Sequence, residues 1–416
     1  MNHINNAFID KIVQHCFNVY NKLPKNGKPI DKEWTVLSCF VEYDKCTDHF
    51  DVISLGTGSK CIGATKMNPN GSIINDSHAE VFARRGLLLY LYEHIEKALN
   101  NEQSIFNYGN DNGQLKLKDN IEFIFYSSQL PCGDCSIISQ QYGEDENYGD
   151  VLKLQKRQAD DEVCDNTIKK NKLDDYVNKT GAKCLPHCEQ DLKDSSTNIH
   201  LHLGQVRTKP GRGDRTLSVS CSDKLAKWIR LGVQGSLINI LCEPIYIKHL
   251  VFGAGVPHSK ESLQRGLLNR SGCSHHKLNV VPEFYETTLV FPHVSSDVNV
   301  RPAPGSIVWI KTSSVLMEVA VLGRKLGVTV KKATSPACSM CISKYNLYNR
   351  FLQILNKHDN IKEKICGTND ISDVPYNKMK RKSKIYFEKW LDVKEKFFKT
   401  WTIKPDMWDF CINVKK

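Results

Sequence analysis

The sequence predicts an α/β fold with a layered core, in which helices flank a central mixed sheet. Apolar, β-branched runs typical of strands alternate with segments whose apolar residues recur at the spacing of a helix. The 416 residues include 40% hydrophobic and 25% charged residues, ordinary values for a globular protein. No internal repeat interrupts the alternation. We therefore expect a helical lead-in at residues 1–33 and one domain at residues 34–416.

The first predicted elements follow from these patterns in chain order. Trp34 to Asp44 and Phe50 to Ile62 are expected to form a strand pair, because both are rich in β-branched and aromatic residues. Apolar periodicity predicts a helix from His78 to Leu99. Ile121 to Ser127 is the clearest strand, and Pro131 after it is expected at the first position of another helix.

The alternation continues in the second half of the chain. Arg215 to Val219 leads into a predicted helix from Ser222 to about Gly232, and Pro244 to Gly253 is a further predicted strand. Between the two halves, residues 140–205 are polar, acidic and without periodicity, which indicates an insertion. Residues 371–416 are basic and aromatic, and we expect them to add a C-terminal helical region.

Charge and composition exclude several classes of protein. The chain has 57 Lys and Arg against 46 Asp and Glu, a net charge of +11 that is compatible with a nucleic-acid partner but is weak support for one. Neither a signal peptide nor an apolar run long enough to span a membrane is recognisable, so we expect an intracellular protein, nuclear or cytoplasmic. The 16 cysteines are then expected to be reduced, with some binding metal.

Short motifs point to a catalytic metal site. His78 and Glu80 form H-x-E, residues 131–135 form P-C-x-x-C, and Cys221 lies in a third motif that also follows a predicted strand. H-x-E followed by P-C-x-x-C is the signature of zinc nucleobase deaminases. Imidazole and thiolates suit Zn²⁺, whose remaining position takes the water that attacks the base. Glu80 is then the expected proton carrier.

Three other interpretations of these residues stay open from the sequence. Ser77 and Glu80 also form S-x-x-E, a capping box at a helix start. Cys132 and Cys135 could combine with Cys338 and Cys341 in a structural four-cysteine zinc site. Finally, spacing alone favours Cys135 over Cys221 as the third ligand of a catalytic zinc.

Longer segments resemble the catalytic domain of adenosine deaminases acting on RNA. They are residues 54–61 (SLGTGSKC), 75–85 (NDSHAEVFARR), 207–216 (RTKPGRGDRT) and 220–228 (SCSDKLAKW), and the resemblance extends over nearly the whole chain. It implies a cytidine-deaminase-like core, with His78, Cys132 and Cys221 as zinc ligands and Glu80 as the proton shuttle. Cys135 departs from the family pattern, in which many members carry a residue there that does not bind zinc.

The resemblance also implies a buried cofactor, 1D-myo-inositol hexakisphosphate. Arg85 lies within the apolar stripe of the helix that begins at His78, and a buried guanidinium needs a counter-charge. Without the resemblance, a solvated basic face or ordinary loop capping would explain these residues. Trp390 stands where other members can carry lysine. The residues that the resemblance assigns to the cofactor are Asn75, Asp76, Arg84, Arg85, Lys209, Lys224, Lys227, Trp228, Ser236, Lys344, Tyr376, Lys380, Tyr386 and Trp401.

The 207–216 segment is similar to the branch of this family that deaminates alanine tRNA at the adenosine just 3′ of the anticodon. About 33 residues precede the first strand, too few for a double-stranded-RNA-binding domain. We therefore expect a tRNA adenosine deaminase, with tRNA, and alanine tRNA in particular, as its partner and with neither DNA nor a membrane. The alternatives are an editor of messenger or double-stranded RNA, and a non-catalytic RNA-binding scaffold with structural zinc.

Overall fold

The computed structural model describes residues 4–109, 114–139, 176–178, 181–185, 203–211, 214–255, 257, 259–270, 278–295, 300–367 and 371–412. The acidic insertion expected at about 140–205 lies largely outside these residues. Its extent and role stay predictions.

The helices are distributed along the whole described chain. They are α1 (Asn6–Lys22), α2 (Ala79–Leu99), α3 (Cys221–Leu231), α4 (Gly235–Ile238), α5 (Lys260–Leu263), α6 (Lys344–Lys357), α7 (Asp359–Cys366), α8 (Tyr376–Arg381) and α9 (Lys384–Val393). π-Helical turns follow α5 and α9 at Gln264–Leu268 and Lys394–Phe398. Among the described helices, none is long and apolar enough to cross a membrane.

The strands include both long, buried ones and short pairs. They are β1 (Glu33–Trp34), β2 (Leu37–Asp44), β3 (His49–Thr57), β4 (Ser59–Cys61), β5 (Asp76–His78), β6 (Phe106–Tyr108), β7 (Leu115–Leu117), β8 (Ile121–Ser127), β9 (Ile138–Ser139), β10 (Tyr176–Asn178), β11 (Lys183–Cys184), β12 (Arg207–Thr208), β13 (His249–Phe252), β14 (Glu283–Glu286), β15 (Arg301–Pro302), β16 (Gly305–Ile310), β17 (Leu316–Val321) and β18 (Arg324–Lys325).

Eight of these strands form the central sheet, in the order β14-β13-β8-β2-β3-β16-β17-β18. β13 pairs in parallel with both β14 and β8, whereas the strands from β8 to β18 pair antiparallel. The sheet is therefore mixed, as the sequence predicts. An α/β fold with helices packed on a mixed sheet is confirmed.

Helices cover both faces of the sheet because its strands are apolar on both sides. Within β8, Ile124 and Tyr126 face the core that contains α1, whereas Phe123 and Phe125 belong to the larger core that contains α2 and α3. All four residues are fully buried. The side chains of α2 are thus held between the sheet and the later helices.

Several predicted boundaries are shifted. The strand expected from Phe50 to Ile62 is divided into β3 and β4, which are separated by Gly58. The strand expected from Pro244 to Gly253 contains only β13. The helix predicted to begin at Pro131 is wrong, because the chain there forms a loop and a short 3₁₀ turn at Asp134–Ser136.

Candidate active site

His78 ends β5 and is the N-cap residue of α2, so a strand-to-helix junction fixes its position. Its Nδ1 donates a hydrogen bond to Asp76 Oδ1 at 2.8 Å. Because a carboxylate holds Nδ1, the remaining nitrogen, Nε2, is the one available to a metal. Ser77 lies within β5, and no side chain caps α2. The capping-box interpretation is therefore wrong.

Glu80 lies in the first turn of α2 with 4% of its surface exposed. Its Oε2 is buried and has no hydrogen-bond partner among the described residues. Burial raises the pKa of this carboxyl group, which favours its neutral form. Leaving a buried polar atom unpaired costs about 1–3 kcal/mol, so the arrangement indicates a group that bonds to a molecule from outside the chain.

Cys132 is presented by a loop and not by a helix. Gly133 has a φ of +106°, a left-handed conformation that prevents an α-helix from starting there. A Cβ at this position would lie 2.3 Å from Ser220 Oγ, so the loop packs directly on the start of α3. This close packing is the physical reason that the predicted helix is absent.

Cys221 is the first residue of α3, whose N-cap is Ser220. Its backbone N–H donates to Cys132 Sγ at 3.3 Å, and Cys132 also contacts His78. Lys209 Nζ lies 2.9 Å from Cys221 Sγ. Contact with Cys221, and then the charges of Lys209 and His78, lower the pKa of Cys132 and favour its thiolate.

Cys135 lies in a different environment from Cys132. It is fully buried, its backbone N–H donates to Ser222 Oγ, and burial raises the pKa of its thiol to about 12. The structure therefore brings Cys221 beside Cys132 and His78, whereas Cys135 is buried among core residues and lies near the charged side chains of Asp134, Arg265 and Arg270.

Cys338 and Cys341 are likewise separate from Cys132. Both lie close to Lys325, and the Cys341 N–H donates to Glu318 Oε2 at 2.7 Å. Glu318 is in β17 and Lys325 in β18, at one edge of the central sheet. The four-cysteine interpretation has no support in this arrangement.

The three predicted zinc ligands are neighbours, but they are not arranged as a complete metal site. In the described part of the chain, no group of three or more His, Cys, Asp or Glu side chains could hold a metal ion as it stands. The donor types nevertheless suit Zn²⁺, and the Oε2 atom of Glu80, which has no partner among the described residues, suits a water beside it. The ligand set stays a prediction that these contacts favour.

Asp76 links this site to a second group of charges. It is 5% exposed, and Lys209 Nζ lies 2.9 Å from its Oδ2. Lys224 from α3 pairs with the same oxygen. Although burial alone would raise it, these two lysines hold the pKa of Asp76 well below its usual range. Surface charge does not describe these residues, because Lys209 is only 1% exposed. Asp76 does cap the local backbone, since its Oδ1 accepts the His78 N–H at 3.0 Å.

Beyond Lys224, the structure brings together a basic cluster from four helices and the C-terminal segment. Its members are Arg84, Arg85, Lys224, Lys227, Lys344, Lys380 and Lys404. All of them are half-buried except Lys404, which is exposed. Of these, only Lys224 forms an ion pair with an acidic side chain among the described residues. Arg84 and Arg85 instead donate to the backbone oxygens of Val233 and Ile342.

The cations of the basic cluster repel one another. Burial, together with the neighbouring charge of Arg84, lowers the pKa of Arg85 to about 10. Burial and the neighbouring lysines hold the pKa values of Lys227 and Lys344 well below the usual range. Such a group keeps its full charge only with an anion among it. A fully solvated basic face is therefore not what the chain forms here.

Lys404 was not predicted from the sequence. Its side chain contacts Lys344, and burial together with Lys380 lowers its pKa to about 8. More than a third of Lys404 is exposed, which places it at the edge of the basic cluster. The signal for it was weak, because it stands in a segment with neither strand nor helical periodicity.

Aromatic residues line the same cluster. The ammonium of Lys227 lies 3.3 Å from the centroid of the Trp390 ring and 5.2 Å from that of Trp401. Trp390, the departure from the family pattern, therefore provides a ring face to a neighbouring lysine where other members can carry a cation. Arg84 lies over Trp228, with 5.7 Å between the guanidinium carbon and the ring centroid.

The remaining predicted cofactor residues adjoin this cluster. Tyr376 and Tyr386 interact electrostatically with Arg84, and Ser236 is buried in α4, next to the glycine that contacts Arg84. Asn75 immediately precedes Asp76 and has a buried Oδ1 without a partner among the described residues. The structure thus places all the predicted residues around two connected centres.

Comparison with known proteins identifies the family of the chain. The adenosine-deaminase (editase) domain model matches residues 54–405, and the chain therefore belongs to that family. "tRNA-specific adenosine deaminase 1" of Drosophila melanogaster is 34% identical over 411 residues, covering 97% of this chain and 96% of the relative. The human protein of that name is 32% identical over 500 residues, covering 95% and 98%.

A relative with a different name matches a shorter part of the chain. "Double-stranded RNA-specific editase Adar" of Drosophila melanogaster is 36% identical over 208 residues, which cover 49% of this chain and 27% of that protein. The similarity to the tRNA-specific relatives extends along nearly the whole length of both chains, whereas the similarity to the editase covers about half of this one.

Proposed function

We propose that the protein catalyses the zinc-dependent hydrolytic deamination of adenosine to inosine in tRNA, at the adenosine just 3′ of the anticodon of alanine tRNA. The observation that carries the chemistry is the buried Glu80 carboxyl group, whose Oε2 has no partner among the described residues, on the helix that begins beside His78. The choice of tRNA is supported by two relatives named tRNA-specific adenosine deaminase 1 that match over nearly their full lengths.

His78, Cys132 and Cys221 would hold the zinc ion. When bound, zinc supplies an activated water at neutral pH. Asp76 keeps the His78 ring in one orientation through Nδ1, and Lys209 offsets the negative charge of the two thiolates. These contacts are made within the chain, so the ligands are oriented before a substrate arrives.

Glu80 would then carry protons between water and the base. It accepts one from the attacking water, delivers it to the ring nitrogen next to C6, and passes the second to the departing amino group. One water is consumed, the bond between C6 and the amino nitrogen breaks, and the products are inosine and ammonia. A pKa raised by burial suits a carboxyl group that must both accept and donate.

The basic cluster would hold inositol hexakisphosphate. Six phosphates match a group of cations that, apart from Lys224, have no acidic partner in the described part of the chain. The anion would restore the charged state of Lys227 and Lys344, whose pKa values are lowered without it. Such a ligand would stabilise the folded state as part of its core.

An assay of substrate choice tests the proposal. Purified protein is incubated with total tRNA, with an isolated anticodon stem-loop and with a long perfect RNA duplex, and inosine is located by sequencing. We expect inosine 3′ of the anticodon in alanine tRNA, little in the stem-loop and less in the duplex. Equal turnover of the duplex would instead favour the double-stranded-RNA editor, which the similarity over half the chain supports. A protein without any turnover would be the non-catalytic scaffold.

A further inference from the structure

One segment contacts both cysteine motifs of the candidate site. Residues 259–270, called the brace below, comprise the N-cap residue Ser259, α5, the π-helical turn Gln264–Leu268 and the two residues that follow. No sequence motif marked this segment. π-Helical turns of this kind are rare and are frequent at functional sites.

The first contact is between the brace and the loop of Cys132. Arg265 Nε donates to Asp134 Oδ2 at 2.9 Å, and the same guanidinium donates to the backbone oxygens of Asp134 and Ile137. Asp134 is only 1% exposed. Its second oxygen accepts the N–H of Gly204, so both carboxylate oxygens have partners.

The second contact is between the brace and the start of α3. Arg270 donates to Asp223 Oδ1 at 2.6 Å, and both side chains are 1% exposed. Asp223 Oδ2 accepts from Ser220 Oγ and from the N–H of Arg207, the residue that begins β12. Asp223 therefore joins the helix of Cys221 both to the brace and to the strand that leads to Lys209.

The two contacts are equivalent in position. Asp134 lies two residues after Cys132, and Asp223 lies two residues after Cys221. The brace also touches Cys135 between them, since Ser262 Oγ donates to its backbone oxygen at 2.9 Å. A Cβ at Gly266 would lie 2.5 Å from Cys135 Sγ, so the π-helical turn packs closely on the loop.

We propose that the brace sets the separation of the two cysteine thiolates, with Arg265 and Arg270 as positioning residues for the zinc ligands. This proposal rests on the proposed zinc site. A buried ion pair contributes little net stability compared with apolar packing. Two ion pairs that each bind the aspartate of one cysteine motif therefore indicate that they position the two cysteines. Partners that orient metal ligands commonly account for a 10–100-fold difference in metal affinity or activity.

The test uses the purified full chain and Co²⁺ as a spectroscopic substitute for zinc. Arg265→Gln and Arg270→Gln should each lower the affinity for zinc, measured by competition with a chelator, by roughly 10–100-fold. They should also shift or weaken the thiolate-to-cobalt absorption band. Arg265→Lys and Arg270→Lys keep the charge but not the forked hydrogen bonds, so they should show an intermediate loss.

Arg230→Gln is the matched control. Arg230 is 2% exposed and donates to the backbone oxygens of Leu267 and Leu268, so it contacts the brace through main-chain atoms. It should lower thermal stability and leave metal affinity and the cobalt band unchanged.

The outcomes separate the two proposals. If the wild type shows no thiolate-to-cobalt band, the zinc site is wrong and the brace proposal fails with it. If the band is present and the Lys variants match the wild type in affinity and spectrum, only the brace proposal is overturned. The same conclusion follows if Arg230→Gln weakens metal binding as much as the other Gln variants. Where the Gln variants yield no folded protein, the Lys variants decide.

Discussion

The candidate active site and the basic cluster share α2 but differ in how their charges are balanced. In the candidate active site, Asp76 meets Lys209, Lys224 and His78, so positive and negative groups are balanced within the chain. In the basic cluster, arginines and lysines lie close to one another. Among the described residues, the carboxylate that pairs with this cluster is that of Asp76, which binds Lys224. The fold therefore compensates charge within the candidate active site and leaves it largely uncompensated in the basic cluster, where the proposed inositol hexakisphosphate would supply the missing negative charge.

The largest expected effect is on the basic cluster. Arg85→Glu or Lys380→Glu should give insoluble or unfolded protein, because reversing one charge would weaken the binding of the proposed inositol hexakisphosphate, which would stabilise the folded state. The measurement is the yield of soluble protein together with its thermal unfolding. Exchange of the solvent-exposed Lys384 for Glu is the control and should leave the yield unchanged.

The ligand itself can be measured directly. Denaturing the wild-type protein should release inositol hexakisphosphate in a one-to-one ratio, detected by mass spectrometry. Soluble, active wild type that releases no phosphate compound would contradict the cofactor, and the basic cluster would then have to be neutralised in another way.

The second largest effect concerns the choice of the third ligand. Cys221→Ala should remove zinc and abolish activity, because Cys221 lies beside Cys132 and Lys209. Cys135→Ala should leave both nearly intact, since its thiol is neutral and buried among core residues. Metal analysis of the two purified variants distinguishes them, and the reverse result would move the ligand to Cys135.

The third effect is on catalysis alone. Glu80→Ala should keep the fold and zinc and lower inosine formation by ~10²–10⁴, the usual contribution of positioned proton transfer. Because its Oε2 is buried without a partner among the described residues, the variant should unfold at a temperature equal to or above that of the wild type. Near wild-type turnover would remove Glu80 from the mechanism.

The fold and the short motifs were predictable because their signals are local. Helical periodicity placed α2 within one residue of its observed start, and the β8 strand was predicted at its observed bounds. The loop at Gly133 was missed because a left-handed residue pressed against Ser220 has no signature in apolar spacing. Pro131 alone suggested a helix that this packing prevents.

The supporting partners could not be found from the sequence, because they are distant along the chain. Arg265 contacts Asp134 across 131 residues, and Arg270 contacts Asp223 across 47. Lys404 joins the basic cluster from an irregular segment near the C-terminus. Without the resemblance, the sequence alone would have favoured a solvated basic face, since burial is a property of the assembled helices.

The smallest expected effect is on the acid sensitivity of folding. It concerns His94, a half-buried histidine near the far end of α2 and away from both sites. Burial and Lys97 lower the pKa of His94 to about 4, and its Nδ1 accepts the Ile105 N–H at 3.4 Å, which requires a neutral ring. The unfolded chain takes up this proton near pH 6.5, whereas the folded chain does so only near pH 4. The contribution of His94 to the free energy of unfolding should therefore be fully present above pH 6.5 and fall by at most ~3 kcal/mol as the pH decreases to 4.

Urea unfolding of His94→Gln should show a smaller decrease over this range than the wild type, whereas the same change at the exposed His49 should have no effect. Parallel curves for His94→Gln and the wild type would show that acid sensitivity arises elsewhere, with the carboxylates of the candidate active site as the next groups to test.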